Sequence, residues 1–193
     1  GPEGGVIALE PNPYVFPVLE ENARLNRDKT HIVPLMFAAT PADGPIAFEY
    51  SDPGFCNGGR HEGMSRWRHA HAFTLEVQGR NLERVLAREY AEWIPRIRFI
   101  KIDAEGYDYA VLLTLAGLID ERRPTLMAEV FKHADLAYRE RLYAFFVERD
   151  YAVYRLEEGS TRCVPLGPGD LMARRHYDVF CVPDGGAPPA PIR

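Results

Sequence analysis

Three short, largely apolar runs in this chain each arrive at a carboxylate. Val6-Ile7-Ala8-Leu9 reaches Glu10, Phe99-Ile100-Lys101-Ile102 reaches Asp103, and Thr125-Leu126-Met127-Ala128 reaches Glu129. A continuous apolar run of this length suits a strand buried on both faces, the kind found in parallel sheets. Helical spacing fills the intervals. After the first run, Asn12 is a good N-cap and Pro13 fits the first helical position. Val15, Phe16, Leu19 and Ala23 then recur at helical spacing to about Asn26, and Pro17 predicts a kink in the first turn. Strand–helix alternation predicts an α/β sheet, mostly parallel. Such sheets bind ligands beyond the carboxyl ends of their strands, which is where Glu10, Asp103 and Glu129 fall.

The rest of the chain fits the same pattern. His31 to Ala39 reads as one strand, and Ile46 to Tyr50 and Phe73 to Val77 alternate as strands. Asn81 predicts the cap of a helix carrying Leu82, Val85, Leu86, Glu89, Tyr90 and Trp93. A turn at Ala104-Glu105-Gly106 leads into a helix from Tyr107 to Ile119. Tyr138 to Arg149 reads as an amphipathic helix with Tyr138, Leu142, Phe145 and Phe146 inward. Tyr151 to Leu156 and Tyr177 to Val182, with no helix between them, predict a C-terminal antiparallel hairpin. Residues 1–183 read as one domain, and the Pro- and Gly-rich residues 184–193 as an unstructured tail.

Composition removes several classes. With 193 residues, 46% hydrophobic and 26% charged, the chain can bury a core and is not a disordered protein. A net charge of −5 leaves no electrostatic footprint for nucleic acid. No apolar run approaches the ~20 residues that span a bilayer, and Gly1 to Gly5 does not open a signal peptide. Cys56, Cys163 and Cys181 form neither a C-x-x-C pair nor a disulfide framework, so a reducing cytoplasm is the expectation.

The irregular stretch from Ser51 to Ala72 holds His61, His69 and His71 with Arg60, Arg66 and Arg68. Loop residues facing solvent or substrate are the simpler reading, and no metal is expected there. The segment GFCNGGRHEG lacks the G-K-[ST] end of a phosphate loop.

The chemistry concentrates at the three run ends. A carboxylate that ends an early strand can accept both ribose hydroxyls of a bound nucleoside, and Glu10 fits that task as well as that of a solvated strand end. Asp103 and Glu105 share one short turn, where two carboxylates can divide orientation and proton transfer, share a metal, or cap the following helix. Gly106 allows the backbone to turn tightly. His133, just past the third run, is a candidate general base or an exposed residue at a helix start.

VIALEPNP, ENARLN, FIKIDAEGYDYAVLLTLAGLI and PTLMAEVF together resemble the FkbM family of S-adenosylmethionine-dependent methyltransferases. The resemblance spans about Val6 to Val182 and is specific in Val6 to Asn26 and Phe99 to Phe131. It implies a Rossmann-like class I sheet and O-methylation of a hydroxyl on a sugar or natural product. It implies S-adenosyl-L-methionine as cofactor, bound by Glu10, Pro11, Asn12, Ala38 and Asp103, and Asp103, Glu105, Glu129 and His133 as candidate catalytic residues. No metal, nucleic acid or membrane is implied. The family's D-x-G-A-N-x-G loop and the strand before it do not occur here. The chain therefore reads as N-terminally truncated, with both lying upstream of Gly1. The acidic residue that reads adenine in such domains also lacks a clear counterpart: Ala39-Thr40-Pro41 stands there, with Asp43 slightly later. Glu10 would equally suit a nicotinamide-dependent oxidoreductase, and a non-catalytic remnant of the fold is the other alternative.

Overall fold

The computed structural model describes residues 3–50, 58–59, 73–157 and 159–188, so the readings on Cys56, Arg60, His61, Arg66, Arg68, His69 and His71 lie outside it. It falls into two compact units, Gly1–Leu82 and Glu83–Arg193. No helix among the described residues is long and apolar enough to cross a membrane.

The first unit opens with a βαβ element. β1 (Gly5–Leu9) and β2 (His31–Leu35) pair in parallel, from Gly5 opposite His31 to Leu9 opposite Leu35, and α1 (Phe16–Leu25) connects them. The helix turns Phe16, Leu19 and Ala23 away from solvent, as their spacing predicts, although none is fully buried. It begins later than Asn12 and Pro13 suggest. Glu10 Oε1 accepts the Asn12 N–H at 2.8 Å and Asn12 Oδ1 accepts the Tyr14 N–H at 2.9 Å. These local bonds hold the chain in turns and delay the helix to Phe16. Pro17 thereby falls in the first turn, where its missing N–H would have had no helical partner. The expected kink has no cause.

The single strand expected over His31 to Ala39 is two. β2 ends at Leu35, and β3 (Ala38–Ala39) joins a different sheet, parallel to β6 (Phe73–Arg80). Between them Phe37 is buried, with the Arg80 guanidinium 5.2 Å from its ring centroid. β4 (Gly44–Tyr50) pairs antiparallel with β6 along its whole length and with β5 (Gly58–Gly59) at its end. Val77 is the buried centre of this sheet, packed by Ala38, Ile46 and Leu75.

The second unit carries α2 (Leu82–Glu89) and a five-stranded sheet. Its strands are β7 (Phe99–Ile102), β8 (Thr125–Val130), β9 (Tyr151–Leu156), β10 (Cys163–Pro165) and β11 (Tyr177–Pro183), in the order β10-β9-β11-β8-β7. β7 and β8 are parallel, with Phe99 opposite Thr125, and α3 (Asp108–Thr114) and α4 (Ala116–Arg122) run between them. The expected single helix breaks at Leu115, whose N–H turns to Leu112 O. β11 lies antiparallel between β8 and β9, so the expected hairpin partners do pair. Leu112, Ile119, Leu126, Phe146 and Cys181 are essentially inaccessible and form the core. Each contributes about 1.5–3 kcal/mol by burial if it is a large aliphatic or aromatic side chain.

α5 (Leu136–Val147) covers this sheet, capped by Asp135, whose Oδ1 accepts the Tyr138 N–H at 2.8 Å. Leu142, Phe145 and Phe146 face inward as predicted. So does Arg139, only 3% exposed. Its charge is solvated by backbone: Nε donates to Ala134 O at 3.0 Å, Nη1 to Leu171 O at 2.7 Å and Arg174 O at 2.8 Å, and Nη2 to Arg175 O at 2.7 Å. The arginine thus pins the segment that leads into β11.

Three expectations change. Among the described residues three strand pairings are parallel and five antiparallel, so the sheets are mixed rather than mostly parallel. β1 and β7 are not buried on both faces: Val6 is 49% and Phe99 50% exposed, because each strand has one edge with no paired neighbour among the described residues. β8, flanked on both sides, is buried as expected. Finally, Asp184 and Gly186 are tied down where an unstructured tail was expected to begin. Arg123 Nη2 donates to Asp184 Oδ1 at 2.8 Å and the Tyr154 hydroxyl to Gly186 O at 3.1 Å.

Candidate functional site

In the first unit Glu10 follows β1 directly and is half-buried. Burial raises its pKa, and the Asn12 N–H on Oε1 opposes that rise. One bond leaves most of a carboxylate's acceptor capacity free, which suits paired hydroxyl donors. Pro11 is half-buried beside it and Asn12 is buried, its side chain spent on the local turn. Ala38 lies in β3 against Val77. Thr40 is buried, its hydroxyl donating to Ala42 O at 2.8 Å, while Asp43 Oδ1 accepts the Asn81 N–H at 2.8 Å. Asp43 therefore braces the chain just after β6.

In the second unit the turn after β7 gathers the acids. Asp103 is exposed and binds Lys101 Nζ through Oδ2 at 2.8 Å, the two side chains sharing a strand face at i and i+2. An exposed pair of this kind contributes ~0.2–1 kcal/mol. Glu105 has φ +50° and Gly106 φ +96°. The left-handed glycine is the conformational need that its presence in the turn predicts. A left-handed glutamate is uncommon and marks a strained turn. Neither Asp103 nor Glu105 caps α3: Tyr107 stands at the N-cap without a side-chain bond.

Asp108 fixes this turn instead. It is fully buried; Oδ2 accepts the Gly106 N–H and Oδ1 the Glu129 N–H, both at 3.2 Å. Burial pushes its pKa up to about 6 against the stabilising backbone bonds. Glu129, on β8, is also buried, and its Oε1 lies 2.8 Å from His176 Nε2. Burial first, then the charges of Glu105, Asp108 and Asp103, raise its pKa, which the His176 bond opposes. Glu105 is raised by burial and by Asp103, with Lys132 and His176 acting the other way.

Carboxylate oxygens of Asp103, Glu105 and Glu129 all lie within 4.8 Å of one another. Three of the sequence-predicted catalytic residues are thus brought together. The fourth, His133, is exposed and sits edge-on to Phe131, with ring centroids 5.4 Å apart. The histidine bonded to Glu129 is His176. Sequence reasoning missed both His176 and Asp108. The position of Asp108 just after Gly106 was visible, but nothing local links either residue to Glu129.

No curated protein and no solved structure matches the chain. A family match does exist, to the methyltransferase FkbM domain over residues 1–153, and it takes in Glu10, the turn after β7 and all of β8. On that match the chain belongs to the FkbM methyltransferase family.

Proposed function

We propose that this methyltransferase moves the sulfonium methyl of S-adenosyl-L-methionine to a hydroxyl oxygen on a sugar or natural product. The observation that carries the reading is the carboxylate turn Asp103–Glu105 directly after a parallel strand, joined by Glu129 from the neighbouring strand. The donor set fits the cofactor: Glu10 has free acceptor capacity for the two ribose hydroxyls, and Pro11, Asn12 and Ala38 are small or turn-forming residues near it in sequence or unit. The bound cofactor supplies the electrophilic methyl group. Glu10 holds the ribose. Asp103 is the first candidate to take the hydroxyl proton as the new C–O bond forms, with Glu105, Glu129 and His133 ranked behind it.

The mixed α/β sheets, with β1–β2 and β7–β8 each parallel and joined through helices, support a Rossmann-like reading. Cys163 and Cys181, both free, support a reducing cytoplasm as the place of action. A small hydroxyl-bearing molecule is the partner, without nucleic acid or membrane. Calorimetry of the full-length protein against S-adenosylhomocysteine and NAD⁺ tests the reading. Binding of the first alone supports it. Binding of NAD⁺ alone points to an oxidoreductase, and binding of neither to a non-catalytic relative.

A further inference from the structure

Two observations on the second unit bear on its acidic cluster. The first is convergence: Asp103, Glu105 and Glu129 each offer a carboxylate oxygen within 4.8 Å of the others. On an octahedral Mg²⁺ or Mn²⁺ with bonds of ~2.1 Å, cis oxygens lie about 3.0 Å apart and trans oxygens about 4.2 Å. The three carboxylates would therefore draw together on binding. The second is an orphan atom. Glu129 is 7% exposed; its Oε1 is bonded to His176, but Oε2 is enclosed and has no hydrogen-bond partner among the described residues. Buried polar atoms are rarely left unpaired without a ligand, ion or water to complete them.

We propose that Asp103, Glu105 and Glu129 hold a hard divalent cation of the Mg²⁺ or Mn²⁺ class, through one oxygen of each carboxylate. The donor chemistry is all oxygen, which selects these ions over softer ones. Lys101 engages Oδ2 of Asp103 and His176 engages Oε1 of Glu129, so each of these carboxylates keeps a second oxygen to give. Asp108 stays outside the ligand set, because both its oxygens accept backbone N–H groups; its part is to fix the turn and the strand that carry the ligands. Three protein ligands leave about three positions of an octahedral ion open for water or a substrate oxygen. Cation binding here does not depend on the proposed methyl transfer; only its use at the acceptor hydroxyl rests on that reading.

The experiment is titration of the full-length protein with Mn²⁺, followed by loss of the free-ion electron paramagnetic resonance signal, with Mg²⁺ as competitor. The expected result is one bound Mn²⁺ per chain, displaced by Mg²⁺. Glu129→Gln and Asp103→Asn should each weaken it about tenfold or more. Glu105→Gln, in a half-buried turn, provides a third variant should Glu129→Gln fail to fold by circular dichroism. No bound Mn²⁺ at millimolar concentration overturns the proposal and leaves a shared proton or water as the partner of Oε2. Equal binding by the wild type and the folded variants also overturns it, by placing the ion elsewhere. A parallel titration with S-adenosylhomocysteine separates the two ideas. If it binds and Mn²⁺ does not, the cation proposal fails and the methyltransferase reading stands. The reverse result retains the cation and removes the reading.

Discussion

The buried carboxylate of Asp108 accepts the backbone N–H of Glu129 at 3.2 Å, so the first residue of α3 holds the carboxyl end of β8. The same side chain accepts the Gly106 N–H and thereby shapes the turn that carries Asp103 and Glu105. One buried residue sets the spacing of three others.

Asp108→Asn should therefore destabilise the protein by about 1–3 kcal/mol, because one of the two backbone donors would face an amide N–H₂. Asp108→Ala should cost at least as much, as both donors lose their acceptor. Urea denaturation of the two variants checks this. A change within about 0.5 kcal/mol would mean that neither bond matters to the fold.

Glu10→Ala should cost ~2–4 kcal/mol of cofactor affinity if the residue holds both ribose hydroxyls by charge-assisted bonds. The side chain ends a strand and makes one local bond, so the fold should change little. Titration calorimetry with S-adenosylhomocysteine measures the loss. Unchanged affinity would show that the nucleoside sits elsewhere.

Glu10 also gives a pH dependence with a definite sign. Burial raises its folded-state pKa above the ordinary 4.5. Its contribution to stability is complete below that ordinary value and declines as pH rises through the raised one. Glu10→Gln keeps the acceptor for Asn12 and removes the titration. The stability of the variant relative to the wild type should consequently increase from pH 4 to pH 7 in thermal melts. A slope of the opposite sign would rule out burial as the dominant cause.

Asp103→Asn should lower the turnover number by about 10²–10⁴ if Asp103 takes the hydroxyl proton, with a smaller effect on cofactor affinity. His133→Ala should leave turnover near that of the wild type, since His133 is exposed. Steady-state kinetics with an identified acceptor decides. Should turnover survive in Asp103→Asn and collapse in His133→Ala, the base is the histidine. If both variants turn over normally, placement alone carries the reaction.

Arg139→Lys should be far from conservative. Four carbonyls receive the guanidinium, and an ammonium has three donors at a single nitrogen. The buried Leu171 carbonyl costs about 1–3 kcal/mol if left unsatisfied, so denaturation should reveal a loss of that order. Hydrogen exchange should quicken first in residues 171–176, the segment that Arg139 pins. Uniform exchange across the unit would argue against that local role.

Local patterns made much of this protein legible. The apolar runs at Val6, Phe99 and Thr125 placed three strands, the i, i+3, i+7 spacing of Phe16, Leu19 and Ala23 placed the inner face of α1, and residue chemistry marked Asp103, Glu105 and Glu129 as worth following. These signals are local because periodicity and turn chemistry act over a few residues. Tertiary structure decided the rest. It split the expected His31–Ala39 strand between two sheets and left Val6 and Phe99 half-exposed on strand edges. It also brought His176 to Glu129 across 47 residues and Asp108 to the same strand across 21. A buried carboxylate takes its partners from whatever the fold presents at hydrogen-bonding distance, and a sequence states residue order without stating which distant backbone arrives there.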